Sequence, residues 1–266
     1  MLTVKGKTMI ISGGVGAKGL AVVRMALEGG MQVAILSGFH QKALGAIAEL
    51  DPKYGDQVVG FAQDPQFRLA DNLADAPELY TEESTQEDVL NWISDRFGGI
   101  DVVVNGTGSH ERHNLEDTDR KIWRHSMDVM EDAFFNTKAA LPHLKKSDSP
   151  RVINLTTCDG RCGGWDLNPS FAAARGGLIS LTYEMARELG PFGITVNAVA
   201  TGHIEEDVPD LDTLPPLVRA DLLARTPLGR VCAPPDVAGA IMYLASDEAS
   251  FVTGTVIDVN GGVVTG

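Results

Sequence analysis

A chain of 266 residues, 44% hydrophobic and with 29 glycines, is long enough for one well-packed α/β domain rich in tight turns. Its formal charge of −14 at pH 7 argues against nucleic acid or an anionic membrane as partner, because both require a basic surface. Cys158, Cys162 and Cys232 form no zinc spacing and fit reduced thiols, and no apolar run at the N-terminus has signal-peptide length; both point to a cytoplasmic protein. "KTMIISGG" then reads as a first strand running into glycines. The helix "AKGLAVVRMALEGG" follows, with Leu20, Val23 and Leu27 near helical spacing. "MQVAILSG" is a second strand, continuously apolar as a strand covered on both faces should be. A helix over 40–50 and a strand at "QVVGF" continue the alternation.

Residues 62–83 interrupt the rhythm. The segment is acidic, carries two prolines and is too long for a routine connection, so it reads as an insertion. A helix over 84–97, the strand "IDVVVNG", a long helical region to about Lys146 and the buried strand "RVINLTT" follow. A glycine-rich loop leads to the helix "SFAAARGGLISLTYEMARELG", then to the strand "GITVNAVATG". After a Pro- and Asp-rich excursion over 203–216 and a short helix, "PPDVAGAIMYLASD" is a capped helix with a proline start, and "GTVIDVNGG" is the last strand. About seven apolar strands separated by helices predict one Rossmann-like, doubly wound parallel sheet flanked by helices, with no second domain.

Five landmarks in order resemble the classical short-chain dehydrogenase/reductases: "SGGVGAKG", "DVVVNGTG", "RVINLTT", "GPFGITVNAVATG" and "PLGRVCAPPDVAGAIMYLASDEASFVTGTVIDVNGG". The resemblance spans the chain and implies where a dinucleotide would lie. Ser12, Gly13, Ala17, Lys18 and Gly19 occupy the phosphate-binding turn, Ala17 standing where the family has a glycine. Its methyl group is either tolerated or fills the pyrophosphate's place. At the end of the second strand Ser37, Gly38 and His40 provide neither a carboxylate for NAD nor a guanidinium for NADP. Near the adenine stand Glu78 or Leu79, with Asp64 as an alternative. Of the fourth-strand Asn-Asn-Ala-Gly pattern, Asn105 and Gly108 remain, with Gly106 and Thr107 between them. Thr201-Gly202 replaces the sixth strand's Pro-Gly.

The family's chemistry requires a tyrosine whose pKa a neighbouring lysine lowers, a serine on the same oxygen, and an asparagine on the preceding long helix. Here the corresponding positions are Phe171, Arg175, Thr157 and Val129. Phe171 and Arg175 keep the spacing that places them on one helical face, but phenylalanine has no exchangeable proton and arginine stays charged. Asn136 does not obviously compensate for Val129. Asp159, just past the active-site strand, is an alternative acid–base candidate, and Asp166, His110, His113 and His203 are others; aspartates that cap turns and solvated loop histidines are, however, commoner than catalytic ones.

Two readings follow. In the first, the chain is a non-catalytic subunit that assembles with an active homologue of the same family. No cofactor is then expected in this chain, NAD(P) belonging to the active partner. The resemblance extends here to heteromeric dehydrogenases in which one subunit has lost its site, an architecture found in 2-[hydroxy(phenyl)methyl]-succinyl-CoA dehydrogenase. In the second, the chain is an atypical reductase, dehydratase or isomerase working through Thr157, Asp159 and Arg175. A metabolite sensor without turnover is a third class.

Overall fold

The computed structural model describes residues 2–37, 40–62, 86–106, 113–163, 169–202 and 215–265. Seven strands, β1 (Thr8–Ser12), β2 (Gln32–Ser37), β3 (Val58–Ala62), β4 (Val102–Asn105), β5 (Arg151–Thr157), β6 (Thr195–Thr201) and β7 (Val256–Val259), form one sheet in the order β3-β2-β1-β4-β5-β6-β7. Every neighbouring pair is parallel. The helices are α1 (Ala17–Glu28), α2 (His40–Tyr54), α3 (Gln86–Phe97), α4 (Arg120–Leu144), α5 (Asp159–Cys162), α6 (Pro169–Leu189), α7 (Pro216–Ala224) and α8 (Pro234–Ala245).

Successive strand residues face opposite sides, and both sides are covered, which is why the strands are predominantly apolar rather than alternating. Ile11 and Val104 join Val23 and Leu27 of α1 and Val237 and Ile241 of α8 in one core. Ile10 and Val103, one residue earlier on the same strands, join Leu90 and Ile93 of α3, Leu144 of α4 and Leu189 of α6 in the other. The sheet reverses direction of growth between β1 and β4, where Ser12 and Asn105 pair at the strands' carboxyl ends. A crevice at such a reversal is where this architecture takes its ligand.

Helix ends are set by side chains the sequence already offers. The Asp119 carboxylate accepts the N–H groups of Lys121 and Ile122, each at 2.8 Å, and starts α4. Asp236, in the first turn of α8, accepts from the Ala233 N–H at 2.9 Å and pairs with Arg230. At the far end of α8, Lys7 Nζ donates to the Ala245 carbonyl at 3.0 Å and to Asp247 at 2.7 Å, and buried Arg151 donates to the Ser246 carbonyl at 3.3 Å.

Two elements depart from the sequence reading. The second helix, expected over 40–50, runs on to Tyr54 because Pro52 lies in its last turns, where it ends the helix rather than breaking it. The glycine-rich loop after β5 contains a short helix, α5, ended by Gly163 in a positive-φ conformation. Its Gly160 lies so close to α6 that a β-carbon would stand 2.6 Å from the Arg175 carbonyl carbon, so the glycine serves close packing as well as a turn. Of the insertion at 62–83, Ala62 closes β3 and the remainder lies outside the described residues.

Candidate functional site

The crevice has two halves, one on each side of the β1/β4 reversal. On the first half, the chain leaves β1 through Gly13, whose φ of +74° favours glycine and whose N–H donates to the Leu36 carbonyl at 3.1 Å. A β-carbon at Gly19 would stand 2.3 Å from the Gly13 carbonyl oxygen and 2.6 Å from Gly14 Cα, so the first turn of α1 folds directly onto the loop only because residue 19 is glycine. No side chain caps α1 at Gly16, and its first turn contains no acidic residue. The positive end of the helix dipole and its first N–H groups therefore keep their affinity for an anion. Gly16 and Ala17 are exposed and Lys18 is half-buried. Ser37 is buried at the end of β2.

Between the halves runs a chain of buried amides and hydroxyls. Asn105 Nδ2 donates to Asn154 Oδ1 at 2.9 Å and to Thr137 Oγ1 at 3.2 Å, and Asn136 Nδ2 donates to Asn105 Oδ1 at 3.3 Å. Asn154 Nδ2 donates in turn to Thr182 Oγ1 at 2.9 Å, while Gln86 reaches Asn136 from α3. Asn136 thus lies in this network, linking α4 to the sheet, and supplies no substitute at the Val129 position. The Gly106 N–H donates to Ser12 Oγ at 3.2 Å, which ties the ends of β4 and β1 together.

On the second half, the described side chains bond to one another and to strand carbonyls. Phe171 and Arg175 are buried on one face of α6, with the guanidinium carbon 4.8 Å from the ring centroid. Arg175 Nη1 donates to the Leu155 carbonyl of β5 at 3.0 Å. The Thr156 hydroxyl donates to the Arg175 carbonyl at 3.0 Å, and the Thr201 hydroxyl to the Thr156 carbonyl at 3.4 Å. The Thr157 hydroxyl donates to Asp159 Oδ2 at 2.8 Å. Burial pushes the neighbouring Cys158 thiol up to about 12, so it stays protonated and inert at neutral pH.

The sequence-derived positions therefore separate. Thr157 and Asp159 meet, as do Phe171 and Arg175, whereas Val129 packs with Ala133, Ala174 and Leu178 in a small core between α4 and α6. Gly38, Asp64, Glu78, Leu79, Thr107, Gly108, His110, Asp166 and His203 lie outside the described residues. His113 is described and half-buried. The ion pair that joins Arg161 of α5 to Asp258 of β7 went unread in the sequence. Nothing at a separation of that length signals a contact. Among the described residues no group of three His, Cys, Asp or Glu could hold a metal ion, and no helix is long and apolar enough to cross a membrane.

Comparison with known proteins agrees with this architecture. Residues 79–264 match a family model described as "Enoyl-(Acyl carrier protein) reductase". The chain is 35% identical over 246 residues to the 3-oxoacyl-[acyl-carrier-protein] reductase FabG of Vibrio cholerae, covering 90% of this chain and 99% of that protein. It is 30% identical over 260 residues to a 3alpha-hydroxysteroid dehydrogenase of Mediterraneibacter gnavus, covering 98% of each. A crystal structure of a short-chain dehydrogenase/reductase (glucose/ribitol dehydrogenase) from Brucella melitensis superposes with a TM-score of 0.81 at 26% identity, covering 100% of both chains. The chain belongs to the short-chain dehydrogenase/reductase family.

This kinship corrects one expectation drawn from the sequence. A chain that aligns along its length with reductases of the family carries the nucleotide-binding Rossmann site itself, so the expectation of no cofactor in this chain falls. The first half fits such a ligand, since Gly19 keeps the loop and helix in register and the end of α1 stands open and uncapped. Residue 171, the position that the resemblance in sequence matched to the family's tyrosine, is a buried phenylalanine. The family is established; the three relatives' names span different substrates and so leave the substrate class open.

Proposed function

We propose that this short-chain dehydrogenase/reductase holds a nucleotide without performing the family's carbinol chemistry, and that it acts by assembling with an active homologue. The observation that carries this reading is the buried Phe171–Arg175 pair. Reducing a carbonyl requires a proton delivered to its oxygen as hydride reaches its carbon. A bound NAD(P)H would supply the hydride. Phe171 has no proton to give, and Arg175 keeps its own and directs Nη1 at the Leu155 carbonyl. The Thr157 hydroxyl is engaged with Asp159, and that of Thr156 with the Arg175 carbonyl.

Assembly is supported by the outer surface. Trp123, Phe134 and Phe135 of α4 and Tyr183 of α6 are exposed, the two phenylalanine rings edge-to-face at 5.2 Å. Aromatic side chains exposed on two adjacent helices are the composition of an interface core. An active homologue working on a hydroxyacyl thioester is the partner this reading favours, because relatives carry the name 3-oxoacyl-[acyl-carrier-protein] reductase.

The test is direct. The purified chain, given acetoacetyl-CoA with NADH or NADPH, is expected to turn over no faster than buffer. Sustained turnover by the chain alone would overturn the reading. Co-expression with an active family member should yield a complex that Phe134→Glu together with Phe135→Glu dissolves in sedimentation velocity. A second reading rests on the Thr157–Asp159 hydrogen bond at the carboxyl end of β5, where this fold places catalytic groups. It predicts an activity that Asp159→Asn abolishes.

A further inference from the structure

The short helix α5 is fastened differently from the long helices that cover the sheet. None of its residues is buried, whereas α6 and α8 each bury a full apolar face. It touches α6 through Gly160, where a β-carbon would meet the Arg175 and Gly176 backbone within 2.8 Å, so the contact brings no side chain to pack. An element that buries no side chain gains little from the hydrophobic effect and belongs to the readily opened parts of a fold. Polar ties hold it down. The Thr157 hydroxyl donates to Asp159 Oδ2 at 2.8 Å, and Arg161 pairs with Asp258 of β7, 97 residues further along the chain. The second tie crosses β6, because Thr157 of β5 lies opposite Thr201 while Asp258 lies opposite Ala200.

The Arg161 and Asp258 side chains are 27% and 25% exposed, so water and salt reach the pair and its strength depends on ionic strength. α5 begins on Cys158 at the carboxyl end of β5, and Cys158 is buried, its N–H donating to the Thr201 carbonyl at 2.8 Å. We propose that α5 is a strap with two positions, held closed by the Arg161–Asp258 pair, and that its release bares Cys158 and frees the Thr157 hydroxyl from Asp159. The strap gives the carboxyl end of β5 a closed and an open state. Neither state requires a nucleotide or a partner subunit, so the inference goes beyond the functional reading above and does not rest on it.

Amide hydrogen exchange of the intact chain, read by peptide mass spectrometry, tests the inference. Opening costs the Arg161 and Cys162 N–H groups their bonds to the Cys158 carbonyl, at 2.9 and 3.1 Å, and the Gly163 N–H its bond to the Asp159 carbonyl at 2.9 Å. Asp258→Asn is expected to speed exchange over 159–163 by about threefold, to leave exchange in β1 and β4 unchanged, and to speed iodoacetamide labelling of Cys158 at pH 8. Asp258→Glu, which keeps the charge, should exchange like the unaltered chain. Raising salt from about 20 mM to about 1 M should speed exchange over 159–163 in the unaltered chain and not in Asp258→Asn. Exchange over 159–163 that Asp258→Asn leaves unchanged overturns the inference. So does faster exchange spread through the whole sheet, which would make the pair a support of the fold rather than a latch on one segment.

Discussion

At the scale of single residues, glycine decides more of this site than the charged groups do. Gly19→Ala drives a β-carbon against backbone, 2.3 Å from the Gly13 carbonyl oxygen, and backbone cannot rotate away. The substitution is expected to cost about 2–3 kcal/mol, measured by urea unfolding, and to abolish ADP-ribose binding. Gly177→Ala meets something softer. Its β-carbon would stand 2.3 Å from Met130 Sδ, the flexible part of a long side chain that can swing aside. Its cost should stay below about 1 kcal/mol. The cysteines separate in the same local terms. Cys162 is exposed, Cys158 and Cys232 are buried, and the Cys158 thiol is pushed up to about 12. Iodoacetamide at pH 8 should modify Cys162 and spare the other two, as read by peptide mass spectrometry.

At the scale of elements, α8 shows how a helix is fastened at both ends by carboxylates. Asp236 at its start is held below its ordinary pKa, chiefly by the hydrogen bond from Arg230 and then by the Ala233 N–H. Asp247, just past its end, is lowered chiefly by the hydrogen bond from Lys7 and then by that from Ser149. Glu248 beside it is lowered from 4.5 to about 2, first by the Thr3 N–H. A depressed folded-state pKa means that the unfolded chain takes up protons first as the pH falls. These contributions are therefore present above the unfolded values, 3.8 for the aspartates and 4.5 for Glu248, and they are lost as the pH falls through the folded ones. The urea midpoint should decline from about pH 4.5 downward, and Asp247→Asn should flatten part of that decline. Asp236→Ala removes a partner of an N-terminal N–H and should lower stability by about 1 kcal/mol at neutral pH.

At the scale of the whole molecule, one sheet serves two purposes with unequal fidelity. Its first half retains a turn that approaches a ligand with backbone alone, and backbone geometry survives side-chain change as long as Gly13 and Gly19 persist. Its second half presents side chains, and there the Arg175 guanidinium lies over the Phe171 ring. The glutamates placed at residues 134 and 135 test the assembled molecule rather than the fold. Because both side chains are exposed, the variant should retain its unfolding midpoint while losing its oligomer.

The amino-acid sequence alone determined the sheet, because strands covered on both faces must be largely apolar and this chain's strands are, their few polar residues aside. It also determined that the side chain of residue 171 has no exchangeable proton, since phenylalanine carries none in any fold. Only the tertiary structure decided where Arg175 directs its Nη1 and that Thr156, Thr157 and Thr201 spend their hydroxyls on protein acceptors. It likewise decided that Asn136 belongs to a buried amide network and that Ala17 stands exposed at the open end of α1. These are matters of direction and of partners brought from distant parts of the chain. Side-chain identity limits what a residue can donate or accept, but the packed neighbours select which bond it makes.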